Sequence, residues 1–238
     1  MGRNSFFQFK QFRIEQDRSP MKVTTEGCLF AASIVLEGDE RTILDIGTGT
    51  GLLALMLAQR TSSQITGVEL DADAADQAQQ NFDESPWSKR LRAVNQSIQA
   101  YAHDNVERFD LVISNPPYFT DHLKSGRPKD IAIHDDQLSQ SDLIKSVVTL
   151  LHEKGTFWVI YPAVEFAVFE SIAVTQGLYN VRKISVKNYR DSEEVFREIG
   201  AFRFAGKNVQ TANSTVVIRG NDGAYSSELK MLLKDYYL

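Results

Sequence analysis

The amino-acid sequence predicts an α/β fold in which helices cover both faces of a mostly parallel β-sheet. Short apolar segments alternate with helix-like segments through the middle of the chain, which is typical of parallel strands joined by crossover helices. A glycine-rich turn follows the first of these strands, and after residue 178 the alternation gives way to consecutive strand-like segments. The chain of 238 residues is long enough for one large domain with a substantial core.

The first half of the alternation predicts three strands and two helices. Residues 41–47 (RTILDIG) are a short apolar strand, and residues 52–60 are a helix that begins just after the glycine turn. Residues 64–70 (QITGVEL) are a second strand, residues 71–83 a polar helix rich in Ala and Gln, and residues 91–95 a third strand. In such a fold the carboxyl ends of the parallel strands lie together at one edge of the sheet.

The alternation continues with a fourth strand at residues 109–115 (FDLVISN). A helix over residues 142–152 leads to an apolar strand at residues 156–161. Proline has no N–H to donate, so Pro162 is expected to break the chain before the next helix, over residues 164–175.

The last part of the chain predicts a different arrangement. Residues 181–187, 195–204 and 214–219 look like successive strands separated by turns, so we expect an antiparallel section that closes the sheet. Residues 226–236 predict a short terminal helix. The whole is expected to be a single domain over residues 1–238, with an N-terminal extension over about residues 1–40.

Composition limits the class of protein. A hydrophobic fraction of 42% and a charged fraction of 24% are ordinary for a globular protein. No apolar run approaches the roughly 18 residues of a membrane span, and the N-terminus lacks the apolar stretch of a secretory signal, so a cytoplasmic location is expected. The single cysteine, Cys28, and four scattered histidines predict neither a disulfide nor a metal site.

Charge is distributed unevenly along the chain. The net charge is −5, which argues against a nucleic-acid partner, but residues 1–22 carry five Lys and Arg against two acidic residues, and residues 182–219 carry eight against four. Because salt screens distant charges beyond about 10 Å, local basic patches can hold phosphates on an acidic protein. The alternative is that these charges are only solvated faces of unrelated segments.

The glycine-rich turn is a candidate cofactor site. Gly47, Gly49 and Gly51 follow the first strand, and closely spaced glycines let a backbone approach a ligand. The dinucleotide-binding fingerprint G-x-G-x-x-G fits less well, because Leu52 stands where its third glycine falls. Asp45 lies two residues before the first glycine, and a carboxylate there suits a positively charged aminoacid-sulfonium ligand better than a pyrophosphate.

A second carboxylate, Glu69, ends the second strand, where it can accept both hydroxyls of a ribose. A tight turn beside a surface glutamate is the alternative. The loop, the helix and this acid together resemble the S-adenosylmethionine site of Rossmann-like class I methyltransferases, which implies that cofactor and a seven-stranded sheet with antiparallel C-terminal strands. The resemblance also places Leu70, Gln96 and Ser97 at the cofactor, although relatives usually have an aspartate after the third strand.

The fourth strand ends in Asn115-Pro116-Pro117-Tyr118-Phe119, a candidate catalytic site. The amine of a base such as adenine is a poor nucleophile because its lone pair is delocalised into the ring. Acceptors for its two N–H bonds favour the tetrahedral geometry that attack on a methyl group requires. The Asn115 side-chain oxygen and the Pro116 carbonyl are expected to be those acceptors, with Tyr118 stacking on the base. The tetrapeptide resembles the Asn-Pro-Pro-Tyr motif of amino-methyltransferases.

Three regions carry a closer resemblance, to bacterial tRNA1(Val) adenine-N6 methyltransferases. They are residues 9–12 with 21–27, residues 115–119, and the ending from residue 217 to residue 237. The resemblance implies methylation of the adenosine next to the anticodon of one valine tRNA, and it places Thr25 and Glu26 near the methionine end of the cofactor. At residues 132–135 the chain has Ala-Ile-His-Asp where relatives have an Ala-Arg-His-Glu-like stretch.

The RNA partner that this resemblance implies would meet the basic flanks, and no obligatory protein partner is inferred. We expect RNA contacts at Phe119 and at the basic residues Lys10, Arg13, Lys22, Arg190, Arg197, Arg203 and Lys207.

Other functions compete with this one. N5-methylation of a glutamine in a protein uses the same tetrapeptide. Those enzymes usually have a separate helical N-terminal domain, whereas the short N-terminal segment here is not expected to form one. DNA adenine methylation is disfavoured, because no segment of this sequence is large enough for a target-recognition domain. Methylation of ribosomal RNA at adenine N6 or guanine N2 stays open. A binding module without activity is a further alternative, which the intact Asp45, Glu69 and Asn115 disfavour.

Overall fold

In the computed structural model, which describes residues 5–117, 138–206 and 208–238, an eight-stranded β-sheet runs through the centre of the molecule. A hairpin of two short strands, β1 (Phe6–Gln8) and β2 (Arg13–Glu15), precedes it. The strands of the large sheet, in chain order, are β3 (Thr42–Ile46), β4 (Gln64–Glu69), β5 (Leu91–Asn95), β6 (Phe109–Ser114), β7 (Leu151–Tyr161), β8 (Leu178–Tyr189), β9 (Arg197–Phe204) and β10 (Ala212–Arg219).

The spatial order of the strands is β10-β8-β9-β7-β6-β3-β4-β5. Within this order the neighbouring strands β7, β6, β3, β4 and β5 are all parallel to one another. Strand β9 is antiparallel to both of its neighbours, β7 and β8. Seven of the eight strands therefore end at one edge of the sheet, which we call the carboxyl edge. The mostly parallel α/β fold predicted from the sequence is confirmed.

The outer part of the sheet differs from the expected seven strands with an antiparallel end. The eighth strand, β10, pairs in parallel with β8, so β9 alone runs against the others in the described sheet. The position at which β9 ends determines the direction of β10. It ends at the edge opposite the carboxyl edge with neighbours on both sides, so the chain resumes from that edge beside β8 and must run in the same direction as β8.

Seven α-helices and a short 3-10 turn at Ser88–Arg90 accompany the strands in the described residues. The five predicted helices are confirmed with ends shifted by a few residues, whereas α1 and α4 were not predicted. The helices are α1 (Thr25–Ser33), α2 (Leu52–Ala58), α3 (Ala72–Asp83), α4 (Ile98–Asp104), α5 (Gln140–Leu150), α6 (Ala163–Thr175) and α7 (Ser227–Leu233).

Two boundaries differ from the sequence prediction for local reasons. The Thr24 hydroxyl accepts a hydrogen bond from the Gly27 N–H at 3.1 Å, so α1 begins within the segment expected to be an extension. Extended backbone at Leu151 ends α5 before the predicted residue 152, and β7 begins there, five residues before the predicted strand.

Side chains that alternate along each strand fill two cores, one on each face of the sheet. Ile43 packs in the core that contains α1, α2 and α7, and its neighbour Leu44 packs in the core that contains α5 and α6. Phe9 and Phe12 of the hairpin segment stack in the first core with their ring centroids 4.5 Å apart. No helix of the described residues combines the length and the apolar composition that crossing a membrane needs.

Candidate active site

The glycine turn after β3 has the backbone geometry that only glycine adopts readily. Gly47, Gly49 and Gly51 have φ angles of +70°, +56° and +82°. A Cβ atom on Gly51 would lie 2.4 Å from Cε1 of Phe82, so this glycine allows α3 to pack against the turn. Space is open around the Cβ positions of Gly47 and Gly49, so the backbone there is accessible to a ligand.

Thr48 and Gly67 support this turn and were missed by the sequence analysis. The Thr48 hydroxyl donates a hydrogen bond to Oδ2 of Asp45 at 2.7 Å. The Thr48 side chain lies against β4, where a Cβ atom on Gly67 would approach its Cγ2 within 2.7 Å. A glycine inside an apolar strand often marks a close approach, and Gly67 within QITGVEL was that signal.

Asp45 is fully buried at the carboxyl end of β3. Its Oδ1 makes no hydrogen bond of regular geometry with the described residues. Burial raises the pKa of Asp45 to about 7, with a smaller contribution from Glu69, against the opposing effects of Thr48 and the Ala54 N–H. Asp45 is therefore a buried carboxyl group joined to the glycine turn through Thr48, which itself lines the cleft.

Glu69 lies at the end of β4 and contacts the turn. Its Oε2 accepts a hydrogen bond from the Gly49 N–H at 2.9 Å, and its Oε1 accepts one from the Asp71 N–H at 3.0 Å. Asn95, also missed from the sequence, donates its amide to the carbonyls of Glu69 and Leu70 at 3.1 and 2.9 Å. The Leu70 side chain is 59% exposed beside Glu69, so an apolar surface adjoins the acid.

Gln96 and Ser97 follow β5 at the same edge. The Gln96 amide donates to Oδ2 of Asp104 at 2.9 Å, and its backbone N–H donates to the Glu69 carbonyl at 3.0 Å. The Ser97 hydroxyl caps α4 by accepting a hydrogen bond from the Ala100 N–H at 3.2 Å. Gln96 therefore adjoins Glu69, and the side chains of both residues have structural partners.

Asn115 and Pro116 follow β6, next to the strand that ends in the glycine turn. Asn115 is half-buried, Pro116 is buried and Pro117 is exposed. Tyr118, Phe119 and residues 132–135 lie outside the described residues. One cleft brings Asn115 together with Gly47 and Gly49, and its lining also includes Met21, Lys22, Thr24 and Thr48. The other cofactor candidates surround this cleft without being part of its lining.

Thr25 and Glu26 begin α1 beside this cleft. The Thr25 hydroxyl and the Tyr225 hydroxyl share a hydrogen bond of 3.1 Å. Glu26 forms an ion pair with Arg197, whose Nε lies 2.8 Å from Oε2 of the glutamate. Arg197, predicted as an RNA contact, is therefore paired with a residue predicted to bind the cofactor.

The other basic candidates are dispersed. Lys10 donates to the Lys234 carbonyl at 2.6 Å on the hairpin side, where the Arg13 guanidinium lies over the Phe6 ring at 3.7 Å. Arg190 follows β8 at the carboxyl edge and pairs with Glu228.

Arg203 is not brought to the candidate site. It lies near the end of β9 at the opposite edge, paired with Glu37, and its Nε donates to the Thr156 hydroxyl at 2.7 Å. Lys207 lies outside the described residues. The basic residues at the carboxyl edge are thus Lys22, Arg190 and Arg197 among those predicted and described.

Solved structures of methyltransferases share this fold. A predicted O-methyltransferase from Agrobacterium tumefaciens superposes with a TM-score of 0.65 at 17% identity, over 87% of this chain and 95% of that one. A methyltransferase from Pyrococcus furiosus gives 0.56 at 19% identity, over 81% and 90% of the two chains. At these identities the likeness establishes the class I methyltransferase architecture.

Sequence relatives define the family. The methyltransferase small domain family matches residues 26–172. The tRNA1(Val) (adenine(37)-N6)-methyltransferase of Cytophaga hutchinsonii is 39% identical over 99% of this chain and 98% of its own length. The enzyme of the same name from Trichodesmium erythraeum is 41% identical over 100% and 99%. The chain therefore belongs to the methyltransferase small domain family and, over nearly its whole length, to the family of tRNA1(Val) (adenine(37)-N6)-methyltransferases.

Proposed function

We propose that this protein transfers a methyl group from S-adenosylmethionine to N6 of an adenine in tRNA, and that its target is the adenosine next to the anticodon of tRNA1(Val). The observation on which the proposal rests is the shared cleft, where Asn115 at the end of β6 lies with Gly47 and Gly49. The full-length relatives are named for the same reaction on the adenine at position 37.

The residues at the carboxyl edge fit this cofactor. Oδ1 of Asp45 is buried without a regular hydrogen-bond partner among the described residues, which suits the cationic methionine part of the molecule. The open space at Gly47 and Gly49 leaves room for it along the turn. Glu69 is placed to accept the ribose hydroxyls if its oxygen exchanges the Gly49 N–H for them. We assign Thr25, Glu26, Leu70, Gln96 and Ser97 to the surroundings of the same ligand.

The chemistry follows from the catalytic end of the cleft. S-adenosylmethionine supplies an electrophilic methyl group. The side-chain oxygen of Asn115 and the carbonyl of Pro116 accept hydrogen bonds from the two N–H groups of the adenine amine. The nitrogen then becomes tetrahedral, and its lone pair is no longer delocalised into the ring. The cofactor would leave as S-adenosylhomocysteine, which keeps the electron pair of the broken bond between the methyl carbon and sulfur. No strong base is required before attack, because the amine would lose its proton to water only after the new carbon–nitrogen bond forms. Positioning of the amine by these two acceptors supplies much of the rate. By resemblance, we assign Tyr118 to stacking on the base.

The target base must leave its stack to enter the cleft. Unstacking costs a few kcal/mol in a duplex and less in a loop, which favours an anticodon loop. Lys22 and Arg190 at the carboxyl edge, with Arg13 on the hairpin side, are the described basic residues that we assign to the RNA. Arg203 is left out because it lies at the opposite edge. A tRNA substrate also implies action in the cytoplasm.

We propose that the chain acts as one domain. The hairpin residues Phe9, Phe12 and Ile14 are buried in the same core as α1 and α2, so the N-terminal part packs on the sheet that bears the cleft.

The first test is methyl transfer from labelled S-adenosylmethionine to separate pools of tRNA, ribosomal RNA, DNA and protein, followed by nucleoside mass spectrometry. N6-methyladenosine in the tRNA pool supports the proposal. Label in protein instead would support glutamine methylation, and label in no pool would support a binding module without activity.

A second test addresses the role of Asn115. Asn115→Ala is expected to abolish turnover while the dissociation constant for S-adenosylhomocysteine changes little. Asn213, exposed on β10, provides the control, because Asn213→Ala removes an amide of the same type outside the cleft. Full activity of Asn115→Ala would refute the assigned role.

A further inference from the structure

The connecting segment, residues 16–24 between the hairpin and α1, forms one wall of the cleft through Met21, Lys22 and Thr24. It contains no helix or strand, and it precedes residues 26–172, which match the methyltransferase small domain family. Its backbone is held by side chains instead. Within the segment, for example, Oε1 of Gln16 accepts a hydrogen bond from the Val23 N–H at 2.8 Å.

Helix α3 provides two buried amides that contact this part of the chain. Gln77 and Asn81 are 0% and 1% exposed, and residues four apart lie on the same face of a helix. Oε1 of Gln77 accepts hydrogen bonds from the N–H groups of Arg18 and Ser19 at 3.1 and 2.9 Å. Its Nε2 donates to Asp17 at 2.6 Å. Gln77 therefore fixes the middle of the connecting segment.

Asn81 makes a different set of contacts. Its Oδ1 accepts a hydrogen bond from the Glu15 N–H at 2.8 Å, and its Nδ2 donates to the Glu15 carbonyl at 2.9 Å. The same Nδ2 donates to the Thr50 carbonyl at 2.9 Å. Thr50 lies in the glycine turn, so one buried amide joins the last residue of β2, immediately before the connecting segment, to the cofactor turn.

We infer that Asn81 is a positioning residue that couples the end of β2, from which the connecting segment starts, to the glycine turn, so that the two walls of the cofactor cleft keep a fixed relative position. The neighbouring residue Phe82 packs against Gly51, so α3 holds the turn at two consecutive positions. The side-chain amide of Asn81 uses both its N–H groups and its oxygen in these hydrogen bonds. Removal of the N–H donors would leave the carbonyls of Glu15 and Thr50 without this partner. The inference rests on the proposed use of the cleft for S-adenosylmethionine.

The test compares Asn81→Asp with Gln77→Glu. Each change keeps the size and the acceptor oxygen and removes the amide donors of one buried residue in the same helix. Only Asn81 also contacts the glycine turn, so Gln77→Glu is the matched control. The measurements are the dissociation constant for S-adenosylhomocysteine by calorimetry, backbone hydrogen exchange, and kcat against KM for S-adenosylmethionine.

Asn81→Asp is expected to weaken binding of S-adenosylhomocysteine about tenfold, the effect of losing one or two buried hydrogen bonds. Its KM is expected to rise while kcat stays near the wild-type value, because Asn115 is not altered. Hydrogen exchange is expected to increase in both residues 16–24 and residues 47–51. Gln77→Glu is expected to increase exchange in residues 17–19 and to leave ligand affinity within about twofold.

A lower unfolding temperature with unchanged affinity for S-adenosylhomocysteine would mean that Asn81 has only a structural role, and it would overturn the inference. Equal loss of affinity in both variants would overturn it as well. If Asn81→Asp does not fold, Asn81→Ser, which avoids burying a carboxyl group, gives the same comparison. Wild-type protein that binds neither S-adenosylmethionine nor its product would refute the proposed function itself.

Discussion

Glu26 at the start of α1 and Arg197 at the start of β9 form an ion pair, with 2.8 Å between Oε2 and Nε. Their side chains are 28% and 17% exposed, so the pair is largely shielded from water. The pair joins the helix that borders the cleft to the one antiparallel strand of the described sheet. The arginine is therefore tied to a cofactor candidate, and its charge is partly neutralised toward RNA.

Arg197→Gln is expected to weaken binding of S-adenosylmethionine several-fold, because Glu26 loses the partner that fixes its position. Affinity for tRNA is expected to change by less than about twofold, because this charge is both paired and only 17% exposed, whereas Arg190 is 57% exposed in its pair with Glu228. Calorimetry with the cofactor and filter binding with tRNA measure the two effects.

Arg203→Gln is the matched control, because it breaks an arginine–glutamate pair at the opposite edge of the sheet. Cofactor binding in this variant is expected to equal that of the wild type. If Arg197→Gln instead reduced tRNA affinity and left cofactor binding intact, Arg197 would be an RNA contact, as its sequence position predicted.

Cofactor affinity is expected to depend on pH through Asp45. Burial raises the pKa of this carboxyl group to about 7, so in the free protein it is protonated at mildly acidic pH. A cationic ligand favours the ionised form, so binding below about pH 7 must release a proton, and affinity is expected to increase up to that pH and then level off. Calorimetry in buffers of different ionisation enthalpy measures the released proton.

The stability of the ligand-free protein is expected to change in the opposite direction. Because the folded-state pKa of Asp45 lies above the ordinary value of 3.8, the protonated form stabilises the fold below that pH, and this contribution is lost as pH rises through about 7. Asp45→Asn is the control and is expected to remove both dependences. A pH-independent affinity in the wild type would show that Asp45 does not ionise on binding.

The comparison of sequence and structure shows which features depend on local pattern. The location of Asp45, Gly47 and Glu69 at one edge of the sheet was predictable, because each lies at a strand end and parallel strands bring their carboxyl ends together. Arg197 and Arg203 could not be told apart in this way. They lie six residues apart in an extended strand, about 20 Å, so one is at the carboxyl edge and the other at the opposite edge.

Long-range contacts explain the other features that the sequence did not predict. Asn81 lies in a polar helix whose sequence gives no sign of a buried amide, and its role depends on Glu15, which is 66 residues away in the chain. The direction of β10 likewise depends on which neighbour is free at the edge of the sheet. The spacing of hydrophobic residues and the positions of turn residues contain no information about the contact of Asn81 with Glu15 or the pairing of β10 with β8.

Gly51→Ala is expected to destabilise the protein by about 3 kcal/mol, since a left-handed backbone costs about 1–2 kcal/mol and overpacking adds a similar amount. The added Cβ would lie 2.4 Å from the Phe82 ring. Gly38→Ala is the control, because its φ is +92° with open space around it, and about 1 kcal/mol is expected there. Urea unfolding measures both, and equal destabilisation would show that contact with Phe82 does not matter.

RNA binding is expected to depend on the basic residues at the carboxyl edge. The double variant Lys22→Gln/Arg190→Gln is expected to weaken tRNA binding and to lower the slope of log affinity against log salt by up to about two, one for each phosphate that the protein no longer neutralises. Because Lys22 lines the cleft, cofactor affinity is measured in parallel. Arg203→Gln, at the opposite edge, is expected to keep the wild-type slope. If the slope fell in Arg203→Gln and not in the double variant, the RNA would lie across the opposite edge, and the target base could not reach Asn115 from there.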